Sequence, residues 1–303
     1  MDKKMQFEGD FHFQRLCAGA SEVDLIGLMS EFARDAAPNH DISELRTEIN
    51  RLRFEFRQLL RPVLEELFVP WVDQQNDIQA TDVCHTAAFG GADAHLLLMA
   101  ALAIFRQTLG FEGDTDDYYC PDNSYLHRVI ERRKGIPISL AILFQELASG
   151  CGIILHGVST PGHFVLAYSA GEPLYVDAFS AEILSQSELE AKLERQTGES
   201  VWDERVFRPA SHLTIAARVL RNLKEAYARL DQWDAALLVQ RRLVALLPEF
   251  SDEQRDLGLL LVRTGNPWPA LEILEPYVQQ QPQEAESLEP FLRTARRMSV
   301  QWN

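Results

Sequence analysis

Apolar positions along this chain follow three successive patterns. From about residue 23 to 72 they recur at helical spacing. Ile42, Leu45, Ile49, Leu52 and Phe56 mark one buried face of a long helix, set apart from EVDLIGLMSEFARDAA by a Pro-Asn-His-Asp break. Asp41 or Ser43 can cap this helix, with Glu44 in its first turn. Arg51, Arg53 and Arg57 lie among Glu48 and Glu55, which predicts solvated ion pairs.

The middle of the chain predicts buried helices and short strands. AHLLLMAALAIFRQTLG reads as a helix ending on a left-handed Gly110, followed by the loop FEGDTDDYYCPDNS. Asp122, Asn123 or Ser124 can cap the next helix, YLHRVIERRKG. A further helix opens at Pro137, where a missing N–H costs nothing, and it is apolar on nearly every side from Leu140 to Ala148. IILHGV, HFVLAY and LYVDAF, bounded by Gly and Pro, read as strands. A three-residue connection, Ser169-Ala170-Gly171 with Gly171 left-handed, would pair Tyr168 with Glu172. It would also set His163 directly opposite Asp177 on one face, and a one-residue slip would separate them.

The last third repeats itself. Leu223 and Leu257, Ala236 and Ala270, Leu237 and Leu271, Val244 and Val278, and Pro248 and Pro282 stand 34 residues apart, the period of the tetratricopeptide helix pair. Two repeats are few for such an array, so HLTIAARVL and EAESLEPFLRTARRM are expected to cap them, or the repeats to pack onto the middle domain. Grooves of stacked repeats ordinarily receive peptides.

Composition narrows the partners. The formal net charge of −16 disfavours nucleic acid and anionic membranes. Cys17, Cys84, Cys120 and Cys151 show no CxxC spacing and read as reduced thiols. No signal-like apolar run opens the chain, and its longest apolar stretches are too short for a bilayer, so a cytoplasmic location is expected.

Candidate chemistry lies between residues 123 and 179. Ser139 stands third in its helix, His163 starts a strand and Asp177 ends the next. That order suits a nucleophile–His–Asp triad with a hydroxyl where a thiol is expected: His163 would take the Ser139 proton, and Asp177 would fix the imidazole. A Ser hydroxyl is a weak nucleophile unless its base is well aligned. The competing reading has Ser139 bonding a backbone carbonyl and His163–Asp177 as a structural pair. Asn123, Arg132 and Arg133 flank the expected cleft. Asn123 can cap its helix, and the arginines can pair with Asp114, Asp116 or Asp117, or one can hold a ligand carboxylate bidentately. Cys120 lies in a loop rather than at the helix start. His85, Asp93 and His95 match no compact metal spacing, and GGADAH lacks the Lys of a phosphate loop, so neither metal nor cofactor is expected.

Taken together, Asn-Ser-Tyr-Leu from 123, Glu131-Arg132-Arg133, Gly135-Ile136-Pro137-Ile138-Ser139-Leu140, Pro161-Gly162-His163-Phe164, Asp177, RNLKEAY and QRDLGLLL resemble the SirB-like (YchA-like) family of bacteria. The resemblance implies a papain/transglutaminase-like core followed by tetratricopeptide repeats. Ser139 then occupies the position of the nucleophilic Cys, with His163 and Asp177 in the His and Asp places. The chain departs from the family pattern at Cys120, where an Asp is common, and at Ala178, where a Pro commonly follows the Asp. The expected fold is mostly α (α+β): N-terminal helices over 1–76, the core with a small antiparallel sheet over 77–205, and repeats over 212–303. The expected function is a protein-interaction or regulatory protein with an inactive core, whose repeats bind a protein or peptide. The alternative is a weak hydrolase or acyl transferase using Ser139, His163 and Asp177.

Overall fold

A computed structural model describes residues 7–67, 91–170, 172–199 and 203–301; Cys84, His85 and Gly171 lie outside the described residues. The chain gathers into two units, residues 41–118 with 122–211, and residues 1–40 and 119–121 with 212–303.

In the first unit α3 (Ile42–Glu66) starts where the sequence predicts, with the Asp41 carboxylate accepting the Ser43 N–H at 2.8 Å. Its buried stripe runs from Leu45 through Phe56 and on to Leu60 and Leu64. This face packs on α6 (Pro137–Ser149), where Phe56 meets Phe144 edge to face. Leu140, Ala141, Leu143, Phe144, Leu147 and Ala148 of α6 are all fully buried, as an all-round apolar helix requires. α4 (Gly91–Ala103) continues into a π-turn over Ile104–Thr108 and stops at Gly110, whose φ of +78° suits glycine. α5 (Leu126–Arg132) departs from expectation at both ends. Pro121–Asn123 coil into a 3₁₀ turn, so the cap is Tyr125, with no side-chain hydrogen bond. At the other end Arg133 adopts the left-handed conformation, and Lys134–Gly135 leave as strand β2, parallel to β1 (Glu112–Gly113).

The main sheet is antiparallel, in the order β3 (His156–Thr160), β4 (His163–Tyr168), β5 (Leu174–Asp177), β6 (Glu182–Ser185). β4 matches HFVLAY residue for residue, whereas β3 begins three residues later than IILHGV. The hairpin register differs from expectation: Tyr168 pairs with Leu174, and Leu166 with Val176. Pro173 has no N–H for the ladder, so the connection spans residues 169–173 rather than three residues. The shift is two residues, an even number, so His163 and Asp177 keep a common face but become diagonal neighbours. β6 and α7 (Gln186–Thr197) complete the unit. Ser185 caps α7 in a reciprocal box with Glu188, and Leu189 and Leu193 close a core with Val158, Val165, Ala167 and Tyr175.

The second unit holds α8 (His212–Arg229), α9 (Trp233–Leu246), α10 (Ser251–Arg263), α11 (Pro267–Gln280) and α12 (Ala285–Gln301). The 34-residue repeat is carried at Ala236 and Ala270, both fully buried. HLTIAARVL is the first part of α8 rather than a separate capping helix. α1 (Phe11–Cys17) and α2 (Leu25–Ala36) pack on α9 around Arg242. That side chain is 2 % exposed. It meets both Asp35 carboxylate oxygens at 2.5 and 2.6 Å and Asp10 at 2.8 Å, and its guanidinium lies 4.4 Å from the Phe7 ring centroid. Among the described residues no helix is long and apolar enough to cross a membrane.

Candidate active site

Ser139 owes its position to the start of α6. Ile136 is extended and Pro137 takes the first helical position, so Ser139 falls third and folds back over the helix end. Its Oγ accepts the Ile136 N–H at 3.1 Å and lies 2.5 Å from the main-chain oxygen of Asn123 and 3.1 Å from that of Ile136. A hydroxyl has one hydrogen to donate, and the shorter contact directs it to Asn123. This is half of a capping box, because isoleucine has no acceptor to return the bond. Ser139 is 1 % exposed, and a Cβ on Gly135 would come within 2.8 Å of its Oγ. The hydroxyl therefore ties α6 to the segment ahead of α5, beneath a strand that must be glycine at 135.

Asn123, fully buried, continues the tie. Its Nδ2 donates to the Asp117 carbonyl at 2.7 Å, and its Oδ1 accepts from Arg132 Nη1 at 2.9 Å. Arg132 also reaches Asp114 at 3.3 Å, one of the pairings foreseen from the sequence. Burial opposes the Asp114 charge, but the Asp117 amide, Asn123, Lys134 and Arg132 together hold its carboxyl below the usual range. Arg133 goes elsewhere, its guanidinium 4.4 Å from the centroid of the Phe111 ring. Asn123 and Arg132 thus meet each other, while Arg133 stands apart from them. Cys151 offers no ready thiolate, because burial pushes its thiol up to about 12.

His163 and Asp177 meet across the sheet. The imidazole Nε2 lies 2.6 Å from Asp177 Oδ2, and both residues are buried. A carboxylate only accepts, so Nε2 carries the proton that joins the two. The turn after β5 gives Asp177 Oδ1 two further donors, the Phe179 and Ser180 N–H groups, each at 3.0 Å. Thr160 closes the preceding turn by donating to the His163 carbonyl at 2.9 Å.

Lys192 is the residue that sequence reasoning missed. From α7 its Nζ reaches Asp177 Oδ2 at 2.6 Å, Glu182 at 2.5 Å and Ser180 Oγ at 3.0 Å. Burial works against an ionised Asp177, but His163 and Lys192 hold its carboxyl well below the usual range. Burial likewise opposes the Lys192 charge, and Asp177 and Glu182 raise its pKa regardless. A signal was present: Lys192 lies between the core positions Leu189 and Leu193. The arrangement thus forms two hydrogen-bonded groups, Ser139 with Asn123 and Arg132, and His163 with Asp177 and Lys192.

Comparison with known proteins agrees with this fold. Residues 45–221, more than half of the chain, match the family model of the transglutaminase-like superfamily, and residues 223–291 match the tetratricopeptide repeat. A UPF0162 protein of Xylella fastidiosa strain Temecula1 is 40 % identical over 193 residues, covering 61 % of this chain and 69 % of that protein. One from Vibrio cholerae is 34 % identical over 164 residues, covering 53 % and 61 %. F-box only protein 21 of Homo sapiens is 39 % identical over 85 residues, covering 25 % of this chain and 14 % of that protein. No solved structure matches significantly. The chain belongs to the transglutaminase-like superfamily, among the bacterial SirB-like proteins in which tetratricopeptide repeats follow that domain.

Proposed function

We propose that this protein works by binding rather than by catalysis: the transglutaminase-like domain is a rigid framework, and the repeats hold a protein or peptide partner in the cytoplasm. The observation that carries the reading is the state of Ser139. Its hydroxyl is buried and committed to the Asn123 carbonyl at 2.5 Å, so attack on an acyl group would first require that bond to break. Lys192 supports the same reading. In a working triad the carboxylate stabilises the imidazolium, but here the Asp177 oxygen that meets His163 also meets an ammonium.

A second reading, weak acyl transfer by Ser139, His163 and Asp177, draws on the His163–Asp177 bond at 2.6 Å. The two readings part on Ser139→Ala. Under the binding reading the folded variant keeps the full biological activity of the protein and captures the same cytoplasmic partner, whereas a chain lacking residues 212–303 captures none. A folded Ser139→Ala protein that has lost its biological activity would overturn it.

A further inference from the structure

We propose that the cleft between α4, the π-turn and β6 binds a small aliphatic carboxylate. The cavity there has a volume of about 310 Å³, with Leu102, Ala103 and Ile183 among its apolar walls and Arg106 and Gln107 among its polar ones. At about 30 Å³ per water it has room for roughly ten non-hydrogen atoms, the size of octanoate. Such a volume, mostly apolar with a few converging polar groups, suits a small amphipathic ligand.

One observation points to the ligand's chemistry, and two more mark the cleft as a site. First, the Arg106 fork is weakly engaged. Nη1 lies 3.5 Å from the Phe179 carbonyl, and Nη2 stands 3.9 Å from Glu112, outside hydrogen-bond reach of that carboxylate. A guanidinium with donors to spare beside apolar walls matches a carboxylate in two parallel bonds. His95 also lines the cleft. Second, Arg106 and Gln107 sit on the π-turn, a local widening of the helix that recurs at functional sites. Third, Ala181, which also lines the cleft, holds a φ of +57° in the turn between β5 and β6, a left-handed conformation that non-glycine residues keep only where the surroundings impose it. Met99, at 52 % exposed, extends the apolar lining toward solvent.

Titration of the full chain with octanoate, followed by amide NMR, tests the assignment. The expected result is a saturable shift confined to residues 95–107 and 181–183. Octan-1-ol should bind at least about tenfold more weakly, as should octanoate to Arg106→Met, since each lacks one side of a charge-assisted pair. Arg106→Lys, keeping the charge without the fork, should fall between. If Arg106→Met does not fold, Ala103→Phe fills the cavity from its apolar wall and should abolish binding. Shifts that do not saturate or that spread over the surface would overturn the proposal. So would octanol binding as tight as octanoate, or an affinity that the Arg106 and Ala103 variants leave unchanged.

Discussion

Replacing Arg242 by Ala removes about 3–5 kcal/mol from the stability of the unit that contains the repeats, the cost of leaving Asp35 without its partner and Asp10 with Arg34 alone. The guanidinium is 2 % exposed; it is the counter-ion of Asp35 and shares Asp10 with Arg34, and the Asp35 and Asp10 side chains are 14 % and 11 % exposed. It also fills the space between the rings of Phe7, Phe13 and Phe32. The variant therefore loses both an ion pair and packing. Urea unfolding followed by circular dichroism measures the loss. Arg242→Met restores most of the packing but not the charge, so it remains destabilised. Combining Arg242→Met with Asp35→Leu should recover part of the difference, because a buried pair replaced as a pair by apolar residues costs little. If Arg242→Ala matches the parent protein within about 0.5 kcal/mol, the ordinary scatter of surface substitutions, this account of the N-terminal helices fails.

The second large effect lies at Asp177. Asp177→Ala leaves the buried His163 without its carboxylate, leaves Lys192 with Glu182 alone and strands the Phe179 and Ser180 N–H groups, with an expected loss of about 3–5 kcal/mol at neutral pH. The pH dependence has a definite sign. The folded carboxyl titrates below its unfolded value, so the stabilisation is fully present above about pH 4 and is lost as pH falls from there toward the folded value. The gap between parent and Asp177→Ala should accordingly shrink between pH 7 and pH 3. Asp114 and Glu253 are shifted in the same direction and add to the parent's acid sensitivity, but they are present in both proteins. Urea midpoints at the two pH values supply the comparison. An equal gap at both would mean that Asp177 does not act through its charge.

Much of this structure was legible from periodicity. The α3 stripe, the all-round apolar α6, the residues of β4 and the 34-residue repeat follow directly from where apolar side chains fall. What escaped depends on contacts that spacing does not encode. The hairpin was read two residues short because Pro173 sits next to a plausible glycine turn, and only its missing N–H excludes it from the ladder. The face shared by His163 and Asp177 survived that error because side-chain direction repeats every two residues. Lys192 and Arg242 were missed for a different reason. Each is a cation on the core-facing side of an amphipathic helix, where a charge reads as surface until its carboxylate, 15 residues away for Lys192 and 207 for Arg242, is brought to it. Asn123 illustrates the same limit. Its position before α5 suggested a cap, but its amide is taken up by Asp117 and Arg132.

In the binding reading proposed above, the Ser139 hydroxyl is a structural link and not a nucleophile. Incubation of the native chain with a serine-reactive fluorophosphonate, followed by intact-mass and peptide mass spectrometry, addresses it most directly. Ser139 is expected to stay unmodified in the folded protein. A stoichiometric phosphonate adduct on Ser139 that disappears in His163→Ala would contradict it.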